Sequence, residues 1–177
     1  MTRCTADTRT LIAAAMACAG LCVLAGCDMQ GRQPAPAEGA ARLAPGAGFY
    51  FNQDGDTASL AYGRADSDDV DLMLQCSRGS HRVEVSALTP RMTRGAAPLT
   101  LVSGPVKSDL QAQVTPDEEN AGGLASASAA SDAPVLAAFR KTGRLSFRLA
   151  GRQQAFAATA GEQVGVARFF AACERKR

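Results

Sequence analysis

A chain of 177 residues with a formal net charge of +2 carries no global bias toward nucleic acid or a membrane surface. With no tryptophan and two tyrosines, it offers little of the aromatic platform used by sugar clefts and single-stranded nucleic-acid grooves. A single histidine, and no Walker, dinucleotide or Gly-x-Ser-x-Gly pattern, leave no familiar catalytic layout.

Arg3 and Arg9 give the N-terminus a positive flank, and residues 11–26 form an apolar run without charge. The run is shorter than the roughly 20 residues of a membrane span, and its small residues near 26 fit a cleaved secretory signal. It ends in Leu24-Ala25-Gly26-Cys27. This stretch resembles the lipobox of bacterial lipoprotein precursors. The resemblance covers about the first 28 residues. It implies cleavage after Gly26, a diacylglycerol thioether on Cys27 and acylation of the new N-terminus. Two or three chains, at about 0.8 kcal/mol per buried methylene, would hold the protein stably to a bilayer. The expected location is the bacterial cell envelope, facing the periplasm. Asp28 resembles an inner-membrane retention signal of enteric bacteria, but that rule varies between groups, so either membrane fits.

Residues 27–47 are rich in Ala, Pro and Gly without hydrophobic period, as a flexible tether would be. Residues 48–177 are expected to form one domain. Gly48-Phe49-Tyr50-Phe51 has strand propensity, Asp54-Gly55 is a strong hairpin signal, and residues 57–62 read as the returning strand. Residues 70–76 alternate, with Val70, Leu72, Leu74 and Cys76 inward and Asp71, Met73 and Gln75 outward. After a turn at 77–80, residues 82–88 alternate again, with Val83, Val85 and Ala87 inward. Residues 90–98 read as a loop. Residues 99–103 and 106–114 read as strands parted by Gly104-Pro105.

Residues 115–131 are acidic, then rich in Ala, Ser and Gly, and read as a long exposed loop. That reading makes them the expected first site of proteolysis in the folded part. Asp132 then caps a short helix with Val135, Leu136 and Phe139 on its apolar side, ended by Gly143. Residues 145–149 and 153–158 form a last hairpin, turned at Gly151-Arg152. Thr159 and Glu162 fit a capping box. The final helix runs to about Cys173, with Val166, Phe169, Phe170 and Cys173 on one buried face.

The predicted fold class is mainly β: a small antiparallel barrel or sandwich with a C-terminal helix packed on it. Of the six cysteines, Cys4, Cys18 and Cys22 leave with the signal and Cys27 takes the lipid. Cys76 and Cys173 remain, an even pair in an oxidising compartment, and a disulfide between them is expected. Asp54, Asp56, Asp66, Asp68, Asp69 and Asp71 invite a cation reading. Turn chemistry explains the same residues, EF-hand spacing is absent, and neither a metal nor a cofactor is expected. The early acidic and late basic clusters are expected to neutralise one another in part. His81, beside a turn, is expected to be exposed and not catalytic. The expected function is a non-enzymatic binding module of the envelope. Its partners are the bilayer through acylated Cys27 and an envelope protein or component, without nucleic acid. An alternative is a periplasmic inhibitor of an enzyme such as a lysozyme or protease. A hydrolase with an unrecognised site is a third reading.

Overall fold

The computed structural model describes residues 46–65, 67, 69–90, 94–117 and 122–175. All of them lie in the second of the two units into which the chain divides, residues 35–177. Nine antiparallel strands and two helices make up these residues. The strands are β1 (Ala47–Asp54), β2 (Thr57–Arg64), β3 (Val70–Ser77), β4 (Arg82–Thr89), β5 (Gly95–Ser103), β6 (Val106–Asp117), β7 (Gly122–Ala130), β8 (Arg144–Leu149) and β9 (Arg152–Ala157). Helix α1 (Pro134–Thr142) follows β7, and α2 (Ala160–Glu174) follows β9.

One sheet holds all nine strands in the order β1-β2-β3-β4-β7-β6-β5-β8-β9. It curls until the face of β9 meets β1 and β2. The Phe156 ring lies 4.7 Å from that of Tyr62 and 6.5 Å from that of Phe49. The result is a nearly closed, barrel-like sheet with its seam between the edge strands β1 and β9. The sandwich alternative is set aside, because a single curled sheet surrounds one core.

Alternation places Leu60 and Tyr62, Leu72 and Leu74, Val83 and Val85, and Leu99 and Leu101 in that core. Both helices add to it. Phe139 of α1 packs 5.3 Å from Phe49 and 6.1 Å from Phe170 of α2. Val166, Phe169, Phe170 and Cys173 are buried, as the i, i+3, i+4, i+7 spacing requires. The Thr159–Glu162 capping box is present in both directions. Gly143 ends α1 in the left-handed conformation at φ 67, donating to the Phe139 carbonyl.

The long loop expected at 115–131 is not there. β6 continues to Asp117 and β7 occupies Gly122–Ala130, between β4 and β6. Ala125, Ala127 and Ala129 are buried while Ser126 and Ser128 face outward. The period of two is real, but Ala and Ser differ too little in polarity to display it. A central strand hydrogen-bonded on both sides is a poor protease substrate, so early cleavage is not expected there. β5 likewise begins at Gly95, inside the stretch read as loop. The cap of α1 is Ala133, without a side-chain bond, and not Asp132.

Two-residue turns join three hairpins, and one carries strain. Leu149 pairs with Arg152 across Ala150 and Gly151, whose φ values are 52 and 82. Two positive φ values suit glycine or asparagine, whereas an L-residue with a Cβ pays about 1–2 kcal/mol in that region. Ala150→Gly should therefore raise the urea midpoint, by the equivalent of up to about 1 kcal/mol after the added unfolded-state entropy is subtracted. An unchanged or lower midpoint would show that the turn is not strained.

Candidate functional site

The turn after β3 gathers three parts of the chain. Gly79 N donates to the Ala172 carbonyl at 3.3 Å, and His81 N to that of Cys173 at 3.2 Å. Ser131 N donates to the His81 carbonyl at 3.0 Å. The last carbonyls of α2 are thus satisfied by the β3–β4 turn. Beside them, Cys76 and Cys173 form the expected disulfide, with Cα atoms 5.7 Å apart. His81 is exposed and holds φ at 53. Its contribution here is made by its backbone.

Next to the bridge, on the outer face of the sheet, lies an open cleft of about 310 Å³. Thr57, Gln75, Ser77, Arg82, Glu84 and Ser128 contribute to its lining. Strand register explains the grouping: Glu84 stands opposite Gln75 on one side and Ser128 on the other. Arg82 Nη2 donates to Ser128 Oγ at 2.9 Å, and the Ser86 and Ser126 hydroxyls meet at 2.8 Å. The cleft offers hydroxyls, an amide and one charge of each sign. Such a set can bind a polar partner by hydrogen bonds and ion pairs. A smaller groove of about 240 Å³ lies over β1 and β2, where exposed Tyr50 faces Ala61, Arg64 and Val70.

A third polar group lies at the seam. The register of β2 against β3 shifts between Tyr62 and Gly63, leaving Asp71 as an extra residue in β3. Strict alternation points Asp71 outward; beside the bulge its carboxylate stays partly exposed and reaches side chains of β9. Asp71 Oδ1 accepts from Gln154 Nε2 at 3.0 Å and from Arg152 Nη2 at 3.4 Å. Arg152 Nη1 also reaches the Leu88 carbonyl at 3.5 Å. Burial, then the negative charges of Glu162 and Asp71, push the Tyr62 phenol above its ordinary range. This seam went unseen in the sequence. Its one local signal is Gly63, where a Cβ would run into the Asp69 carbonyl.

The acidic cluster does not act as a unit. Asp56 makes a 3.9 Å ion pair with Arg78, Asp69 N is held by Ser67 Oγ at 3.1 Å, and Asp71 serves the seam. Asp66 and Asp68 lie outside the described residues. Among the described residues, no group of three His, Cys, Asp or Glu side chains comes together to hold a metal ion. Among the described residues, the early acidic and late basic clusters meet at Asp71 and Arg152. Arg140 instead pairs with Glu174 at 2.9 Å and lies over the Phe170 ring. On the exposed outer face, the Thr100 hydroxyl and then Lys107 hold Asp109 below the usual carboxylate range.

Cys27 and the stretches read as its signal and tether, up to residue 45, lie outside the described residues. Among the described residues, no helix is long and apolar enough to cross a membrane. The domain belongs to a definable structural class: a nine-stranded antiparallel sheet, nearly closed, with its terminal helix bonded to β3. Comparison of the chain with protein-family models, curated proteins and solved structures finds no match.

Proposed function

We propose that this protein is a lipid-anchored lipoprotein of the bacterial envelope, with a periplasmic β domain that binds an envelope protein or component without catalysis. The observation that carries the reading is Leu24-Ala25-Gly26-Cys27 at the end of an uncharged apolar run. A tether-like stretch and a disulfide-closed domain follow it, an order that suits a module displayed from a membrane. The polar cleft along β3, β4 and β7 is the surface assigned to the partner. Its hydroxyls and its one charge of each sign favour a partner bearing polar groups of both signs.

The test has two arms, both in the full-length protein in its own envelope. Cys27→Ala should leave an unprocessed precursor and abolish incorporation of labelled fatty acid. Unchanged labelling would overturn the anchor. A photo-crosslinking residue at position 128 should trap a discrete adduct, which Arg82→Glu weakens. An adduct that ignores this charge reversal, or no adduct, would overturn the assignment of the cleft.

A further inference from the structure

The groove of about 240 Å³ lies at the end of the domain where the chain enters it. β1 starts at Ala47, and Ala47 pairs with Arg64 at the close of β2. Arg64 lines the groove together with Tyr50, Ala61, Ala65 and Val70. Tyr50 is one of three large apolar side chains left exposed among the described residues. Arg64 is exposed too and makes no ion pair among the described residues. Its amide donates to the Asp69 carbonyl at 3.4 Å, a contact that closes the turn and places exposed Asp69 beside the end of β2.

This set of groups suits the headgroup layer of a bilayer. A tyrosine ring is at home at that level, with its apolar body toward the acyl chains and its hydroxyl toward water. The small side chains of Ala61, Ala65 and Val70 give up little by leaving water. A guanidinium binds phosphate by charge-assisted hydrogen bonds. The carboxylate of Asp69 opposes a purely anionic surface, and it offers a partner to an ammonium group. One charge of each sign therefore matches a zwitterionic phospholipid, which carries a phosphate and an ammonium. The chain outside the described residues ends at this same groove. A coil of about 20 residues, the length from Cys27 to Ala47, has an r.m.s. reach of about 25 Å. Such a short link holds this end near the bilayer at an effective concentration in the millimolar range, so even a weak contact is populated.

We propose that the groove at Tyr50 and Arg64 is a membrane-docking site for zwitterionic phospholipid. Tyr50 sits at headgroup level, Arg64 meets the phosphate and Asp69 the ammonium. This inference rests on the lipid-anchored reading and adds an orientation to it. β3 runs from Val70 at the groove to Ser77 at the polar cleft, about 23 Å along the strand. With the groove against the bilayer, the cleft faces away from it, toward a partner.

The experiment uses the acylated full-length protein in vesicles of phosphatidylethanolamine and phosphatidylcholine. The chain has no tryptophan, so Tyr50→Trp introduces a single reporter. Its emission should shift to shorter wavelength and be quenched by phospholipid spin-labelled near the headgroup. Asp54→Trp is the control, on the same face of β1 and about 13 Å farther from the tether. It should stay unshifted and unquenched. Adding Arg64→Glu to Tyr50→Trp should remove most of the shift and quenching while the lipid still holds the protein to the vesicle. Vesicles of an uncharged glycolipid should do the same. Equal quenching at positions 50 and 54 would overturn the proposal. So would a shift that survives Arg64→Glu or the glycolipid. In each of those results the protein still floats with the vesicles, so the anchor stands. Protein that carries no fatty acid and does not float would overturn the anchor and the docking site together.

Discussion

Replacing Cys76 and Cys173 together by alanine should lower stability by up to about 4.7 kcal/mol, the chain-entropy value for a loop of about 100 residues. The bridge spans a sequence separation of 97, from β3 to the last turn of α2. Without it, the unfolded chain regains the freedom of nearly the whole domain. A typical domain has about 5–15 kcal/mol in total, so the variant should stand near the edge of folding. The native side adds to the effect. The Gly79 and His81 amides reach the Ala172 and Cys173 carbonyls only while the end of α2 stays against the β3–β4 turn. Alanine is the right replacement, because a serine hydroxyl at fully buried position 173 would add an unmet polar group. Urea unfolding of the oxidised protein and the double variant measures the difference. Alkylation under denaturing conditions, with mass measurement, verifies the bond first: no label should enter at either cysteine until a reductant is added. Coincident midpoints for the two proteins would mean that apolar packing alone holds α2.

Phe139→Ala should cost about 3–5 kcal/mol, the usual range for removing a large buried ring. Phe139 is 0% exposed. Its ring packs against β1, at Phe49, and against α2, at Phe170. Strands and two helices frame the hole its loss would leave, and none of them can close in without moving the others. Little relaxation is therefore expected, and the cost should fall toward the upper end. The surface residue Tyr50 is the control. It is 43% exposed, and Tyr50→Ala should change stability by no more than about 0.5 kcal/mol. Denaturant midpoints at constant slope measure both. A Phe139→Ala cost below about 1 kcal/mol would contradict the joint packing of α1, β1 and α2.

Much of the framework was legible in the sequence where chemistry and period coincide. β3 and β4 were readable because Leu72, Leu74, Val83 and Val85 alternate with strongly polar neighbours. The α2 face was readable because four apolar residues recur at helical spacing, and its start because Thr159 and Glu162 satisfy each other's backbone amides. The pairing of Cys76 with Cys173 followed from counting cysteines. β7 was not readable. Its inward residues are alanines and its outward ones serines, and their burial comes from being wedged between β4 and β6. Neither polar surface was readable either, since the cleft unites Gln75, Glu84 and Ser128 from three strands.

By itself, then, the sequence determined a β-rich domain, its helical cap and its cysteine pair, because local period and residue count need no distant partner. The tertiary structure alone decided the order of the nine strands, the contacts of Asp71 with β9 and the polar seam there. Those depend on pairings between residues as far apart as Asp71 and Gln154, and on one extra residue that breaks the regular alternation of a ladder.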